Sequence, residues 1–182
     1  MDIYELKFTP LQNEILRLFC IKAGVSLNQR RISKLLKVSP TAVSKAIKSL
    51  GKDELLSIKK DKQSNIVSIE LNRDSEKVIN YKRTENLRLL YESGFYGFIK
   101  EMFPGGIIIL FGSYSLGEDT IKSDIDIAII GSKQKDIDLS RYELLLERKI
   151  LINFYENIKI IDKNLLSNII NGITLTGVIK IW

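Results

Sequence analysis

The segment from Ile107 to Ile130 restricts what this chain can fold into more than any other. A short apolar run, Ile107–Phe111, ends in Gly112-Ser113, and Asp124-Ile125-Asp126 opens a second apolar run to Ile130. Apolar runs of this length, bounded by turn residues, read as buried strands. Residues two apart on a strand point to the same side, so Asp124 and Asp126 share one face while Ile125, Ile127 and Ile129 share the other. Two carboxylates held side by side repel unless a cation lies between them, and the spacing points to a divalent metal. Glycine lets the chain turn sharply and approach a ligand closely. A serine opening a short helix, here over 113–117, offers N–H groups and a hydroxyl to phosphate. A metal-bound triphosphate fits this arrangement, and carboxylate-held metals can activate a hydroxyl while stabilising a departing pyrophosphate.

Composition narrows the chemistry. The chain has 182 residues, no histidine and a single cysteine, Cys20. Ser-His and Cys-His catalysis, a Cys-based zinc site and an internal disulfide are therefore excluded. Any metal must be held by carboxylates, which favours Mg²⁺ or Mn²⁺. Cys20, near the end of an apolar helix, reads as core. The apolar runs are too short to span a bilayer, and the start lacks the basic and apolar regions of a leader, so the expected location is cytoplasmic with no membrane partner. Charge is uneven: residues 1–95 carry 18 Lys/Arg against 11 Asp/Glu, whereas residues 96–182 carry 10 against 11. A basic front half suits a polyanion, or else is simply a solvated lysine-rich surface.

The front half has helical spacing. Thr9-Pro10 is a helix start ahead of Leu11, Ile15, Leu18 and Phe19, and Gly24 ends the run. Asn28 opens a second helix, and Ser39-Pro40 opens a third with Val43, Ile47 and Leu50 on its apolar side. The period then changes to two: Leu55–Lys60 and Ile66–Leu71 are strands flanking a polar turn at 61–65. Helix-turn-helix followed by a hairpin resembles the winged helix-turn-helix family of DNA-binding domains over about residues 8–72. The resemblance implies double-stranded DNA as partner, with the third helix in the major groove. Ser39, Thr41, Ser44, Lys45 and Lys48 would face the bases or phosphates, Arg30 and Arg31 the backbone, and Lys59, Lys60 and Lys62 would decorate the wing. Two half-sites would make the protein a homodimer. The competing use of such a domain is dimerisation or protein contact.

A helix starting at Asp74 or Ser75 and running to Tyr91 is expected to join the halves, with Tyr81, Tyr91 and Tyr96 packing near it. The domain limits are thus 1–73, a linker helix at 74–94, and 95–182. The back half alternates: a helix over 95–102, strands at 107–111, 124–130 and 150–155 with 158–161 as an extension, helices from Ser140 and over 165–170, and an extended end from Ile173 to Trp182, whose indole is expected to pack. Strand–Gly-Ser–Asp-x-Asp–strand, with Gly117 and Ser123 between, resembles the minimal nucleotidyltransferases of the DNA polymerase beta-like superfamily. The resemblance implies an α+β fold, a mixed sheet with flanking helices. Gly112 and Ser113 would bind an NTP, and Asp124 and Asp126 would hold Mg or Mn as metal and catalytic ligands.

The chain also departs from the family pattern. Active members carry a third carboxylate on the next strand, where this chain has Leu151; Asn153 is an amide, and Glu156 would need a bulge to reach. Where many members carry a basic residue after Gly-Ser, this chain has Tyr114. Three readings remain open. One is a DNA-binding regulator whose degenerate site binds NTP-Mg. A second is an active enzyme passing NMP to a protein or nucleic-acid hydroxyl. The third, by analogy of fold, is an antitoxin-type protein with a partner protein.

Overall fold

A computed structural model describes residues 8–60 and 67–179. The wing residue Lys62, the turn at 61–65 and Trp182 lie outside the described residues. The chain divides into two compact units, Met1–Val78 and Ile79–Trp182.

The first unit is built from three helices and a hairpin. Helix α1 (Pro10–Ile21) opens with a reciprocal cap between Thr9 and Gln12, which satisfies N–H groups that the first turn would leave unpaired. Helix α2 (Gln29–Leu36) starts where Asn28 Oδ1 accepts the Arg31 N–H at 2.8 Å, and it stops at Lys37 in the left-handed region, φ 54°. Helix α3 (Pro40–Lys52) follows at once, with Ser39 Oγ accepting the Ala42 N–H. The tight turn brings the apolar stripes together: Ile15, Phe19, Ile32, Val43, Ile47 and Leu50 are all buried, and Cys20 is buried with them. Strands β1 (Leu56–Lys60) and β2 (Val67–Leu71) pair antiparallel from Leu56↔Leu71 to Lys60↔Val67, and Leu27 adds a bridge to Ile69. This is a winged helix-turn-helix.

The second unit is a four-stranded mixed sheet ordered β5-β4-β3-β6. Strand β3 (Ile107–Phe111) runs antiparallel to both β4 (Ile125–Ile130) and β6 (Ile173–Thr176), while β4 and β5 (Ile150–Tyr155) are parallel. Helix α7 (Ser140–Leu146) makes the crossover that a parallel pair requires. Ile125, Ile127 and Ile129 of β4 lie with Ile108 and Leu110 under Leu90, Phe95, Ile99 and Phe103. These cover residues come from α4 (Glu76–Glu92), α5 (Phe95–Met102) and the residue after it. On the other face Ile109, Phe111, Ala128 and Ile130 pack with Ile161 and with Ile169 of α8 (Lys163–Ile170). Gly172 follows α8 where a Cβ would stand 2.3 Å from the Leu110 carbonyl oxygen.

Three expectations change. The helix assigned as a linker is part of the second unit from Ile79 onward, with Lys82, Glu85, Asn86 and Leu90 buried. Its many charged residues make it look solvent-facing, and those at Lys82 and Glu85 are not. Ile158–Ile160 forms a 3₁₀ turn, capped by Asn157 accepting the Lys159 N–H, and does not extend β5. The last strand ends at Thr176, because Gly177 turns the chain at φ 85°.

Candidate functional site

The site forms at one end of the second sheet. Register places Phe111 opposite Asp126, and Asp126 opposite Leu151. The Gly112-Ser113 turn, one carboxylate and Leu151 therefore stand side by side across three strands. Gly112 adopts φ 70°, and a Cβ there would lie 2.5 Å from Asp126 Oδ2. Only glycine meets both demands, a left-handed backbone and a carboxylate against the Cα. Helix α6 (Gly112–Leu116) then begins, tightened by Ser115 Oγ donating to the Gly112 carbonyl at 2.7 Å, and Gly117 closes it at φ 77°.

Asp124 precedes β4 and Asp126 sits within it, both partly exposed. Burial, and then the neighbouring charge of Asp124, push the Asp126 carboxyl above its ordinary range. Both causes oppose its negative charge, and both are relieved by a cation. The pair therefore suits a divalent metal, in part. Among the described residues no group of three or more Asp, Glu, His or Cys side chains could hold a metal ion. A cation at Asp124 and Asp126 would thus need oxygens from its ligand, as Mg²⁺ commonly takes from phosphates.

At the place where the family resemblance implies a third carboxylate, Leu151 is 45% exposed. It faces the same side as Asp126, so an apolar side chain meets solvent where an acid would complete the set. Asn153 is two residue pairs further along, opposite Ala128, and Glu156 lies past the end of β5. Neither reaches the Leu151 position. Tyr114 turns into the core, with its carbonyl accepting from Asn86 Nδ2 at 2.9 Å. The exposed side chain of the turn is Leu116.

Two carboxylates escaped the sequence reading. A depression of about 390 Å³ beside Asp124 is lined by Glu143 and Glu147, with Lys122, Arg148 and Lys149. Glu143 also accepts the Ile150 N–H at 3.0 Å. Their spacing, one helical turn apart ahead of β5, was the available signal.

On the first unit, Arg30, Arg31, Ser39, Thr41, Ser44, Lys45, Lys48, Lys59 and Lys60 are all exposed. Thr41, Ser44, Lys45 and Lys48 recur at helical spacing, so they form one stripe of α3, opposite buried Val43, Ile47 and Leu50. Ser39 differs, since its hydroxyl is already the cap of α3. Lys34 and Lys37, at the turn between α2 and α3, are exposed as well and add to the same charge.

Residues 93–176 match the family model of the nucleotidyltransferase domain, and the second unit carries that domain. Among solved structures, Lactococcus lactis ZitR, a zinc-responsive MarR family member, aligns at 24% identity over 58% of this chain and 69% of its own, with a TM-score of 0.42. Wild-type ZitR in complex with DNA aligns at 24% identity over 57% and 67%, with a TM-score of 0.42. The adhesin competence repressor AdcR of Streptococcus pyogenes aligns at 26% over 57% and 72%, with a TM-score of 0.43. Scores of this size reflect loose superposition, and the winged-helix assignment rests on the elements described above. No curated protein matches the chain.

Proposed function

We propose that this protein is a DNA-binding regulator whose nucleotidyltransferase domain binds a nucleoside triphosphate with Mg²⁺ or Mn²⁺ and does not carry out efficient transfer. The observation that carries the second half is Leu151, exposed and paired in register with Asp126. A leucine can neither accept a proton from a hydroxyl nor hold a metal. Gly112 and Ser113 would receive the phosphates, and Asp124 and Asp126 would hold the cation. When bound, that cation would offset part of the triphosphate's charge and relieve the repulsion at Asp126. The first half is supported by the exposed Thr41/Ser44/Lys45/Lys48 stripe on the helix that a helix-turn-helix presents to the major groove. Reading two half-sites would make the protein a homodimer.

Calorimetric titration with Mn²⁺ and ATP, beside transfer of label from each of the four NTPs to protein and nucleic acid, tests the proposal. Binding without transfer supports it. No binding of any NTP overturns the ligand half, and brisk transfer overturns the degenerate site.

Glu143 and Glu147 beside Asp124 favour one other reading, an active enzyme whose base comes from α7 and the residue after it. Transfer abolished by Glu143→Gln or Glu147→Gln would establish that reading in its place.

A further inference from the structure

Asp119 lies in the loop between Ser113 and Asp124, yet it is only 1% exposed. A carboxylate is buried to this degree only when its charge is fully partnered. Its Oδ1 accepts from Lys82 Nζ and from Asn86 Nδ2, the latter at 2.7 Å, and its Oδ2 accepts from Arg148 Nη2 at 3.2 Å. Lys82, Asn86 and Arg148 are themselves at most 5% exposed. The same Asn86 amide donates to the Tyr114 carbonyl, and Arg148 Nη1 donates to the Glu147 carbonyl at 3.0 Å.

These bonds converge from four places. Lys82 and Asn86 belong to α4, Tyr114 to the Gly-Ser turn, Asp119 to the loop, and Arg148 to the chain entering β5. The loop then reaches Asp124 through a closed turn, in which Ser123 Oγ accepts the Thr120 N–H and Ser123 N–H donates to the Thr120 carbonyl, each at 3.0 Å. Ile125 N–H donates to the Lys149 carbonyl at 2.8 Å, one residue from Arg148. Gly117 presses the loop onto α4 as well: a Cβ there would stand 2.4 Å from the Ile79 carbonyl oxygen.

Stability alone does not call for such a cluster. Apolar side chains of similar volume usually serve a buried position as well as an ion pair or better. The hydrogen bonds of the charged groups add direction, since each oxygen of Asp119 must lie where its donors are. We propose that Asp119 is a positioning residue. Held by Lys82, Asn86 and Arg148, it presets the spacing between the Gly112-Ser113 turn and the Asp124/Asp126 pair before a ligand arrives. The inference rests on the reading of this site as a metal-nucleotide site, and preorganisation of that kind is what makes few contacts sufficient for binding.

The deciding variant replaces the charges by apolar side chains, Lys82→Met/Asp119→Leu/Arg148→Met, so that packing is kept and direction is lost. Two readouts are taken on the full chain: affinity for Mn²⁺-ATP, and amide hydrogen exchange over 117–124. The expected result is a melting temperature at or above that of the unmodified protein, Mn²⁺-ATP affinity about tenfold weaker, and exchange over 117–124 about tenfold faster. A stable variant with unchanged affinity and unchanged exchange overturns the proposal, because a merely structural cluster would behave that way. If the triple variant does not fold, Asp119→Asn, assayed below its own melting temperature, decides on the same readouts. If the unmodified protein binds no Mn²⁺-ATP, the ligand reading falls, and exchange over 117–124 alone decides whether Asp119 positions the loop.

Discussion

The two units carry their candidate functions in different physical forms. On the winged helix the relevant groups are exposed side chains on α2, α3 and β1, most of them long and each reaching into solvent. On the nucleotidyltransferase domain they are a backbone turn and two short carboxylates, placed within ångströms by strand register and by the missing Cβ of Gly112. Function in the first unit would be a sum over a charged surface, and any one lysine is replaceable. Function in the second would depend on a few fixed atoms, and a single added methyl group would disturb it.

Breaking that contrast starts at Gly112 and Asp126. Asp126→Ala would remove one of the two proposed metal donors, and Gly112→Ala forces a Cβ onto the Asp126 carboxylate at a backbone angle that L-residues disfavour. Mn²⁺-ATP affinity is expected to fall about a hundredfold in each, roughly 2.8 kcal/mol. Calorimetry that found Gly112→Ala unchanged would mean that the turn does not meet the ligand.

Leu151→Asp tests the same geometry in the opposite direction. It puts an acid at the position paired with Asp126 and exposes no new apolar surface, because Leu151 already faces solvent. Mn²⁺ affinity is expected to rise about tenfold, the effect of roughly one added charged interaction. Appearance of labelled product with any NTP would show that only this carboxylate was missing.

A smaller effect follows from the raised pKa of Asp126. The folded state holds this proton more tightly than the unfolded chain does, so at neutral pH the ionised carboxylate weakens the fold. Its stabilising contribution is complete below the unfolded carboxyl pKa and is lost as pH rises through the folded one. Asp126→Asn should therefore raise the melting temperature at pH 7 and change it less at pH 4, while weakening metal binding. Scanning calorimetry at both values checks the sign. Mn²⁺ affinity of the unmodified protein should fall as pH drops through the same range, since the proton and the metal compete for one carboxylate.

How much of this was legible beforehand follows the same division between local and distant causes. Gly112, Asp124 and Asp126 could be read because a strand, a turn and a strand are contiguous and period two fixes their sides. Leu151 stands out only through the family resemblance, which implies a carboxylate on the next strand. The Thr41/Ser44/Lys45/Lys48 stripe followed from helical spacing around Val43 and Ile47. The place of α4 could not be read. Lys82 and Asn86 carry polar side chains suited to a solvated face, and a tertiary partner far along the chain, Asp119, accounts for their burial. Nothing local to Asp119 in the sequence marks it out, nor does the spacing of Glu143 and Glu147 alone, since their partners and neighbours are set by the tertiary fold.

The smallest effects are expected on the winged helix, and they sharpen the comparison most. Lys45 and Lys48 lie one turn apart on the exposed stripe of α3, with Thr41 and Ser44 between them and the helix start. If they meet phosphates, each releases about one counterion on binding. Lys45→Ala or Lys48→Ala should then weaken binding to random duplex only a few-fold at low salt and lower the slope of log K against log salt by about one. The double variant should lower it by about two, with the effects adding, because exposed charges that share no partner act independently. A loss of a hundredfold from either single change would mean that one lysine is held as rigidly as Asp126, and the first unit would then work by fixed geometry as well. No change in the slope would take α3 out of the interface and leave the basic charge of this unit as a solvated surface.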